Sequence, residues 1–338
     1  MRFRELGRSG IEASVVGLGA WAIGGWMWGG TEEKDGIAAI QAAIDAGISL
    51  IDTAPAYGYG RSEEIVGKAI RQRRDRVVLA TKCGLVWEGT SGEFFFYGNQ
   101  RGQADESDPD ARRIYRYLHP DSVRREVEQS LRRLGTDYID LMQTHWPDAT
   151  TPIQDTMAEL LKLKDEGKIR AIGASNVEPS HLREYLAAGQ LDNIQENFSM
   201  IDRQIERDLL PMARENGLAV LAYSPMVLGL LTGKIGPDRR FEEGDLRLGD
   251  PRFSAEGLQR MQGLLAGFQP IAENHDATIG QLVIAWTAAQ PGLTHVLCGA
   301  RRPDQAAENA AAGDLLLSED ELVRIDAALA EYLAVETA

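Results

Sequence analysis

Short apolar runs alternate along the chain with longer segments in which apolar residues recur every three or four positions. The runs are typical of buried parallel strands, and the periodic segments are typical of helices that pack outside such a sheet. Eight cycles of this kind predict an α/β fold, a (β/α)8 TIM barrel in a single domain over residues 1–338. The predicted strands are 15–19, 48–52, 76–82, 138–144, 169–174, 192–195, 218–223 and 294–298.

The predicted helices follow these strands in order. They open near Thr31, at Ser62 and near Asp121, and then cover 153–166, 179–188, 204–216, 255–274, 278–289 and 303–312.

Further features distinguish the chain from a minimal barrel. Gly-rich turn chemistry between residues 4 and 14 predicts an N-terminal β-hairpin, which we expect to plug the lower end of the barrel. Long loops, 83–119 and 224–254, follow strands 3 and 7, and loops of that length in compact domains are usually functional. Ser318 and Glu321 have the spacing of a capping box, which predicts an extra C-terminal helix.

The composition narrows the class of partner. The chain is 43% hydrophobic and 26% charged, as expected of a soluble globular protein with an ample core. Its formal charge of −15 argues against nucleic acid and against anionic membranes, so we expect a small-molecule partner and a monomer or weak homo-oligomer. Only Cys83 and Cys298 are present, and the first residues lack the apolar core of a signal peptide, which predicts a cytoplasmic location.

Polar side chains follow three of the predicted strands at the point where each strand ends. Asp52 and Tyr57 come after the second strand, Lys82 after the third and His145 after the fourth. Because the carboxyl ends of parallel strands meet at one end of a barrel, we expect these four side chains to lie together. The lysine is predicted to lower the pKa of Tyr57, with Asp52 keeping the lysine charged. Such a tyrosine can donate a proton while His145 binds the substrate oxygen.

Other interpretations of these residues stay open at this point. The Asp52–Lys82 pair is compatible with a structural ion pair, and His145 with a satisfied, half-buried histidine. Lys82 is also compatible with the Schiff-base nucleophile of an aldolase. The segment 17–22 fits a dinucleotide-binding fingerprint, but glycines at 24–25 follow where that fingerprint requires a helix. The histidines and cysteines lack metal-binding spacings, so no metal is expected.

Blocks of sequence spread over nearly the whole chain carry a resemblance to a known family. They are Leu50-Ile51-Asp52-Thr53-Ala54, Tyr57-Gly58, Thr81-Lys82, Asp137-Tyr138-Ile139-Asp140-Leu141, His145-Trp146-Pro147, Gly167-Lys168-Ile169-Arg170, Ile172-Gly173, Ser175-Asn176, Tyr223-Ser224-Pro225, Gly229-Leu230-Leu231-Thr232-Gly233-Lys234 and Gly299-Ala300-Arg301 with Pro303 and Gln305. The chain resembles the aldo-keto reductases, specifically their bacterial branch of general stress proteins and inositol-linked reductases. The resemblance implies a (β/α)8 barrel, in agreement with the strand count.

The resemblance also implies an activity, the reversible reduction of an aldehyde, ketone or sugar carbonyl by hydride from NAD(P)H. It implies that Tyr57 donates the proton, that Asp52 and Lys82 tune it, and that His145 orients the carbonyl. The implied cofactor contacts are Ala20, Trp21, Asp52, Ser175, Asn176 and Gln195 (the last three at the carboxamide), Tyr223 (stacked on the nicotinamide), Ser224, Pro225, Met226, Gly229, Leu230 and Lys234 (around the pyrophosphate), and Gly299, Arg247, Arg301, Gln305, Glu308 and Asn309 (towards the adenosine). The implied substrate contacts are Trp21, Tyr57, Trp87, His145 and Trp146.

Departures from the family's pattern bear on the choice of cofactor. Some relatives carry Lys-Ser at positions 299–300 and Arg at position 305, where this chain has Gly-Ala and Gln. Recognition of a 2′-phosphate would therefore rest on Arg301, Lys234 and Arg247. Guanidinium groups suit phosphate geometry, so NADPH is predicted over NADH, with NADH possible.

The long loops suggest the substrate only in outline. Their aromatic residues predict a mouth suited to sugars or aromatic aldehydes, although each is equally compatible with packing of a lid: Trp21, Trp26, Trp28, Trp87, Phe94, Phe95, Phe96, Tyr97 and Trp146. Asn99, Arg101 and Arg113 are candidates for an anionic or polyhydroxylated substrate. A regulatory subunit that senses nicotinamide redox state without catalysis is the alternative function, and the presence of all four polar residues favours catalysis.

Overall fold

The computed structural model describes residues 1–28, 31–100, 102–241 and 245–336. Arg101, a candidate substrate contact, lies outside the described residues, as do parts of the two glycine-rich loops at 29–30 and 242–244. The strands are β1 Phe3–Glu5, β2 Glu12–Ser14, β3 Val16–Gly19, β4 Leu50–Asp52, β5 Val78–Cys83, β6 Leu85–Val86, β7 Glu93–Gly98, β8 Gln103–Ala104, β9 Arg112–Arg116, β10 Ile139–Thr144, β11 Ile169–Ser175, β12 Asn193–Asn197, β13 Ala219–Tyr223 and β14 His295–Gly299.

The helices fill the intervals between these strands. They are α1 Trp21–Gly24, α2 Glu33–Asp45, α3 Arg61–Ile70, α4 Pro120–Leu134, α5 Ile153–Asp165, α6 Pro179–Ala188, α7 Leu209–Glu215, α8 Ala255–Asn274, α9 Ile279–Ala289, α10 Pro303–Ala311 and α11 Glu319–Glu336. Short 3-10 turns add Arg74–Arg76, Gln204–Glu206, Val227–Thr232, Pro251–Phe253 and Ala312–Asp314. None of the helices in the described ranges is both long and apolar enough to cross a membrane.

Eight parallel strands close into a barrel in the order β10, β11, β12, β13, β14, β3, β4, β5. The predicted (β/α)8 fold is confirmed. The register sets Asp52 of β4 opposite Ala80, and Gln143 of β10 opposite Lys82. Because every strand runs the same way, all eight carboxyl ends open at one end of the barrel, which becomes the site end.

The N-terminal hairpin closes the opposite end of the barrel. β1 pairs antiparallel with β2, and Leu6 in the turn is fully buried. Leu6 packs in one apolar cluster with Leu50, Leu141 and Leu221, side chains from the first halves of barrel strands. The expectation that the hairpin plugs the lower end is confirmed by this cluster.

The long connection after β5 is a small sheet of its own. Its strands pair antiparallel in the order β6, β9, β7, β8, with an irregularity of register between Phe94 and Phe96. The sequence interpretation of 83–119 as a loop missed these strands. The aromatic run in β7 has strong β propensity, but the sequence does not show which apolar surface it packs against. The run alone therefore does not distinguish a strand from an aromatic loop.

Several helix boundaries differ from prediction for local reasons. A four-residue helix, α1, does follow the glycines of the supposed fingerprint, and it is capped by Gly25, which is in the left-handed region at φ 82°. The predicted helix 204–216 is broken, because its second part restarts with Pro211 in the first turn of α7. The capping box before α11 is confirmed, since the Glu321 amide donates to Ser318 Oγ and the Ser318 amide donates to the Glu321 carboxylate.

Candidate active site

An ion pair at the site end of the barrel joins two neighbouring strands. Lys82 Nζ donates to Asp52 Oδ2 at 2.6 Å and to the carbonyl oxygen of Thr53 at 3.0 Å. It also donates to Tyr57 Oη at 3.3 Å. Lys82 is only 1% exposed, so its positive charge is held entirely by these acceptors. Asp52 ends β4, and the loop that follows carries Tyr57 back over the lysine.

His145 completes the group from the next strand. It follows β10 directly, and its backbone N–H donates to the Cys83 carbonyl at 2.8 Å. Its ring meets the Tyr57 ring edge to face, with centroids 5.8 Å apart, and Trp21 stacks on the other side of Tyr57 at 6.1 Å. The structure therefore brings together all four side chains that the strand ends predicted. Tyr59 shares the loop but packs away from this group, against Trp87.

Burial dominates the electrostatics of the group. Burial raises the pKa of Tyr57 above its usual value, and the nearby Lys82 charge lowers that pKa by less. Lys82 lowers the pKa of this tyrosine as predicted, but the net pKa lies above the free value and not below it, because the phenolate loses more from desolvation than it gains from the ammonium. Burial lowers the pKa of Lys82, but Asp52 and Tyr57 outweigh it and raise that pKa overall. Burial, with Lys82, lowers the pKa of His145 well below its usual value.

These protonation states define what the group can do chemically. Tyr57 is a neutral phenol whose oxygen is already hydrogen-bonded to a charged lysine, so the lysine stabilises the phenolate left after proton donation. His145 is a neutral imidazole that can donate a hydrogen bond without transferring a charge. The arrangement suits the delivery of one proton to an oxygen that gains negative charge.

Three buried amide side chains, Gln143, Asn193 and Gln195, lie beneath Asp52, and we call them the amide floor. Gln195 Nε2 donates to Asp52 Oδ1 at 2.9 Å, and Gln143 Nε2 donates to the same oxygen at 3.2 Å. Asn193 Nδ2 donates to Gln143 Oε1 at 3.0 Å. The sequence interpretation missed Gln143 and Asn193. Their signal is a polar residue at an inward position: Gln143 lies two residues from the inward Leu141 on β10, and Asn193 lies two residues from the inward Gln195 on β12.

The side chains predicted to hold a carboxamide adjoin the amide floor. Ser175 Oγ donates to the Gln195 carbonyl at 2.7 Å, and Asn176 Nδ2 donates to the His145 carbonyl at 2.9 Å. Tyr223 Oη donates to Asn176 Oδ1 at 2.7 Å, which holds its ring at the edge of the cavity. Asn176 has a left-handed backbone at φ 58°, and such strain in a residue other than glycine is concentrated at functional sites.

The loop after β13 has the same kind of strained backbone. Ser224, Val227 and Leu228 have φ values of 55°, 46° and 54°, and Gly229 follows at 95°. Turns that bring successive backbone N–H groups to one side form concave sites for anions. This loop lies where the family resemblance implied a pyrophosphate.

Three cations stand beyond this loop, each with an acceptor from the protein. Lys234 Nζ lies 2.8 and 2.6 Å from the two Glu308 carboxylate oxygens. Arg247 makes two hydrogen bonds to the Asp245 carboxylate, at 2.9 and 2.6 Å. Arg301 donates to the Trp28 carbonyl at 3.2 Å, and its guanidinium is half-buried. Burial and the nearby Arg247 charge lower the pKa of Arg301.

A single cavity of about 620 Å³ connects these parts. Most predicted contacts line it: Trp21, Asp52, Tyr57, His145, Trp146, Ser175, Asn176, Gln195, Tyr223, Ser224, Pro225, Met226, Gly229, Lys234, Arg247, Gly299, Arg301, Gln305, Glu308 and Asn309. The lining does not include Ala20, Leu230 or Trp87. Ala20 and Leu230 are buried in the apolar core, and Trp87 packs edge to face on Tyr59 at 5.2 Å.

A model of the aldo/keto reductase family matches residues 15–330. The chain belongs to this family. It is 44% identical over 325 residues to the NADH-specific methylglyoxal reductase of Escherichia coli (strain K12), covering 94% of this chain and 95% of that protein. It is 42% identical to the aldo-keto reductase YhdN of Bacillus subtilis (strain 168), over 95% of this chain and 92% of the relative.

Solved structures agree with the family assignment. A glycerol dehydrogenase from Gluconobacter oxydans is 38% identical with a TM-score of 0.85, covering 98% of this chain and 95% of that chain. An aldo/keto reductase from Klebsiella pneumoniae, solved in complex with NADP and acetate, is 29% identical with a TM-score of 0.70, covering 97% of this chain and 94% of that chain. The resemblance drawn from the sequence blocks is confirmed.

The mouth of this aldo-keto reductase is aromatic. Among the predicted loop aromatics, Trp21, Trp26, Trp28, Phe95, Phe96 and Trp146 line the cavity, and sequence reasoning missed Met27, Leu85 and Gln103 beside them. Phe94 and Tyr97 do not line it, because they pack on each other on the outer side of the small sheet at 5.0 Å. Asn99 and Arg113 do not line it either, since Asn99 binds Asp108 and Arg113 binds Glu106.

Proposed function

We propose that this aldo-keto reductase reduces an aldehyde, ketone or sugar carbonyl with NAD(P)H, and that Tyr57 donates the proton. The observation that carries the proposal is the Asp52–Lys82–Tyr57 chain of hydrogen bonds, which ends at a cavity wall beside His145. The family and its named relatives support the reaction class. The same end of the barrel carries the active sites of barrel enzymes in general.

The cavity fits a nicotinamide cofactor by the chemistry of its lining. Gln195 Oε1 carries no hydrogen bond within the part of the chain that the structure describes, so an acceptor is free for a carboxamide N–H. The Tyr223 ring offers a flat surface beside it, and the strained loop from Ser224 to Gly229 offers backbone N–H groups to a pyrophosphate. The cofactor supplies the hydride when it is bound.

The protein's own residues then perform the proton chemistry. The substrate oxygen lies within reach of Tyr57 Oη and the His145 ring, which orient the carbonyl. As the oxygen gains negative charge, Tyr57 donates its proton and Lys82 stabilises the resulting phenolate. Asp52 keeps Lys82 charged throughout, and the aromatic residues Trp21 and Trp146 exclude water from the reacting centre.

NADPH is the proposed preferred cofactor, with NADH as a second donor. Arg247 and Arg301 lie close enough for each to affect the other electrostatically, and among the described residues Asp245 is the acid that offsets their charge. This local excess of positive charge favours a 2′-phosphate. The comparisons include both kinds of cofactor, since the Escherichia coli relative is named NADH-specific and the Klebsiella pneumoniae structure holds NADP.

The ratio of kcat/KM values for NADPH and NADH tests the cofactor proposal. We expect the ratio to exceed one, and to fall when Arg301→Met removes a guanidinium at the adenosine end. Arg302→Met is the matched control, because the Arg302 side chain is exposed and paired with Asp304. Equal kcat/KM values for the two cofactors in the unmodified enzyme contradict the preference.

A neutral carbonyl compound is the proposed substrate class. The described residues that line the aromatic mouth carry no charged side chain, and Gln103 is the only amide among them. Aromatic faces bind both aryl groups and the apolar faces of sugars, so both kinds of aldehyde belong in an assay. The proposed location is the cytoplasm, supported by two cysteines that are both buried and unpaired, and the proposed assembly is a monomer or weak homo-oligomer.

The alternative functions fit the geometry less well. An aldolase needs a neutral lysine open to its substrate, but Lys82 is buried, charged and bound to three acceptors. A regulatory subunit that only senses the cofactor has no need of the Tyr57–Lys82 contact. Reduction of a trapped Schiff base by borohydride would detect the first alternative.

Loss of cofactor absorbance with a panel of aldehydes, ketoses and inososes tests the main proposal. Tyr57→Phe should retain cofactor binding and lose roughly 100- to 10,000-fold in kcat, because only the proton donor is removed. The Tyr59→Phe variant is the control, since Tyr59 does not line the cavity. Equal activity of Tyr57→Phe and the unmodified enzyme would exclude Tyr57 as the proton donor.

A further inference from the structure

The amide floor is a directional chain of hydrogen bonds rather than a set of independent contacts. Asp52 Oδ1 accepts from both Gln195 Nε2 and Gln143 Nε2, and a carboxylate can only accept. Both glutamines must therefore turn their NH2 groups towards Asp52. Gln143 Oε1 is then left facing away, where Asn193 Nδ2 donates to it at 3.0 Å.

The far end of this series of hydrogen bonds is Asn193, whose position is fixed by the backbone of the neighbouring strand. Within the described residues, Asn193 Oδ1 is buried without a hydrogen-bond partner, and it lies over Gly173 of β11. A Cβ atom at position 173 would come within 1.7 Å of that oxygen, so the asparagine occupies space that only glycine leaves open. A buried unpaired acceptor destabilises the fold, which indicates that the orientation of Asn193 serves something other than stability.

The near end of this series of hydrogen bonds is Gln195, which reaches the cavity. Gln195 lines the cavity, its Nε2 is occupied by Asp52 and, at 3.3 Å, by Gln143 Oε1, and its Oε1 is unbonded among the described residues. If the Gln195 amide were flipped, its oxygen would face the Asp52 carboxylate and its NH2 group would face the cavity. Asp52 and Gln143 both oppose that flip, because the carboxylate would repel the amide oxygen and Gln143 Oε1 would lose the hydrogen bond that it accepts from Gln195 Nε2.

We propose that Gln143 is a positioning residue which, held by Asn193, locks the Gln195 amide so that its oxygen faces the nicotinamide carboxamide. The inference rests on the proposed function and extends it to residues that touch neither cofactor nor substrate. It links the carboxamide-binding residue directly to the Asp52 carboxylate. Recognition of the carboxamide NH2 group therefore depends on a side chain of β10 that lies behind the cavity wall.

The test compares two cofactor forms that differ only at the carboxamide. NADP+ and its 3-acetylpyridine analogue both carry the carbonyl oxygen, but the analogue has a methyl group in place of NH2. Dissociation constants are measured by quenching of tryptophan fluorescence for the full chain and for Gln143→Met. Gln290→Met is the matched control, because Gln290 is another buried glutamine and lies at the end of α9, away from the cavity.

The expected result is a change in the ratio of the two dissociation constants. The unmodified enzyme should bind NADP+ roughly three- to tenfold more tightly than the analogue, as expected for one net hydrogen bond. In Gln143→Met the ratio should fall by about twofold or more, because Asp52 alone then holds the Gln195 amide, while Gln290→Met keeps the full ratio. A ratio in Gln143→Met equal to that of the unmodified enzyme, or no discrimination in the unmodified enzyme, overturns the inference.

A second variant keeps the test decisive if Gln143→Met does not fold. Asn193→Leu leaves Gln143 in place and removes the donor that fixes its orientation, so the ratio should fall in the same direction. An unchanged ratio in a folded Asn193→Leu variant overturns the inference. Failure of the unmodified enzyme to bind NADP+ or NADPH would instead contradict the proposed function, so the two failures are distinguishable.

Discussion

Inward positions two residues apart on the same barrel strand carry apolar side chains at the lower end and polar side chains at the site end. On β4 the change is from Leu50 to Asp52, and on β10 it is from Leu141 to Gln143. Both layers are almost completely excluded from solvent. The two ends therefore differ in how their buried side chains are satisfied, and not in how deeply they are buried.

The lower end is filled by packing and the site end by hydrogen bonds. Leu6 from the hairpin closes the lower end as part of an apolar cluster. At the site end, a buried ion pair gains little net stability, because desolvation offsets most of its Coulomb attraction. A barrel that served stability alone would continue the apolar layer upwards. The polar layer thus lowers the stability of the fold locally, and it provides the groups for proton chemistry at the cavity wall.

Removal of the lysine should have the largest effect at the site end. Lys82→Met leaves the Asp52 carboxylate buried without its cation, so we expect a loss of about 3–5 kcal/mol in the free energy of unfolding. Carbonyl reduction should be lost as well, because the Tyr57 phenolate is no longer stabilised. Chemical denaturation and cofactor oxidation measure the two effects.

A double variant separates the charge from the packing. Asp52→Asn combined with Lys82→Met removes both members of the pair, so most of the lost stability should return while activity does not. If the double variant is as unstable as Lys82→Met alone, the cost lies in packing and the contrast between the two ends is smaller than the structure indicates.

Truncation at the lower end should affect stability alone. Leu6→Ala removes a fully buried side chain from the hairpin plug, and we expect a loss of roughly 2–5 kcal/mol in the free energy of unfolding. The kcat of the folded variant should match that of the unmodified enzyme, since Asp52, Lys82 and His145 are positioned by the other ends of the strands. A fall in kcat would show that the two ends are mechanically coupled.

The same contrast explains what could be predicted from the sequence. Asp52, Lys82 and His145 each follow an apolar run, so a strand count was enough to bring them together. Gln143 lies inside such a run, and the sequence does not show which neighbouring side chain will hydrogen-bond to its amide. Asn193 is a similar case, because its role depends on Gly173 in another strand.

The positions of loop residues were harder to predict, because residues of the same type lie in different environments there. Trp26 lines the cavity and stacks on Phe96 at 5.9 Å, whereas Trp87 packs behind it against Tyr59. That outcome is decided by the pairing of β7 with β9, which brings distant segments together. The sign of the Tyr57 pKa shift was missed for a related reason, since the sequence shows a charged neighbour but not the extent of burial.

Buried acids near the site end add a pH-dependent term to the stability of the fold. Glu126 of α4 accepts a hydrogen bond from the Gly84 amide at 2.9 Å, just beyond β5, and burial raises its pKa to about 8. The folded state thus keeps a proton that the unfolded chain releases near pH 4.5. The stability from this group is complete below that pH and is lost as the pH rises towards 8.

Glu126→Gln should therefore flatten the dependence of stability on pH. Between these limits the variant should lose about 1.4 kcal/mol per pH unit less than the unmodified enzyme, as one carboxyl group allows. Denaturation curves at several pH values measure the difference. Glu196, whose pKa burial also raises to about 8, should account for a further slope that Glu126→Gln leaves in place. Identical slopes in the two proteins would show that Glu126 is already ionised in the fold.

The smallest expected effect is the pH dependence of carbonyl reduction itself. Burial raises the pKa of Tyr57 above 10.0, and burial with Lys82 lowers the pKa of His145 well below 6.5. Neither group should titrate between those values, so kcat/KM for the carbonyl substrate at saturating NADPH should vary by less than about twofold from pH 7 to pH 9. The Leu6→Ala variant should show the same flat profile. A descending limb inside this range would mean that Lys82 lowers the pKa of Tyr57 more than burial raises it. The side chains at the site end would then be better solvated than their geometry indicates. The two ends of the barrel would therefore differ in solvation as well as in how their buried side chains are satisfied.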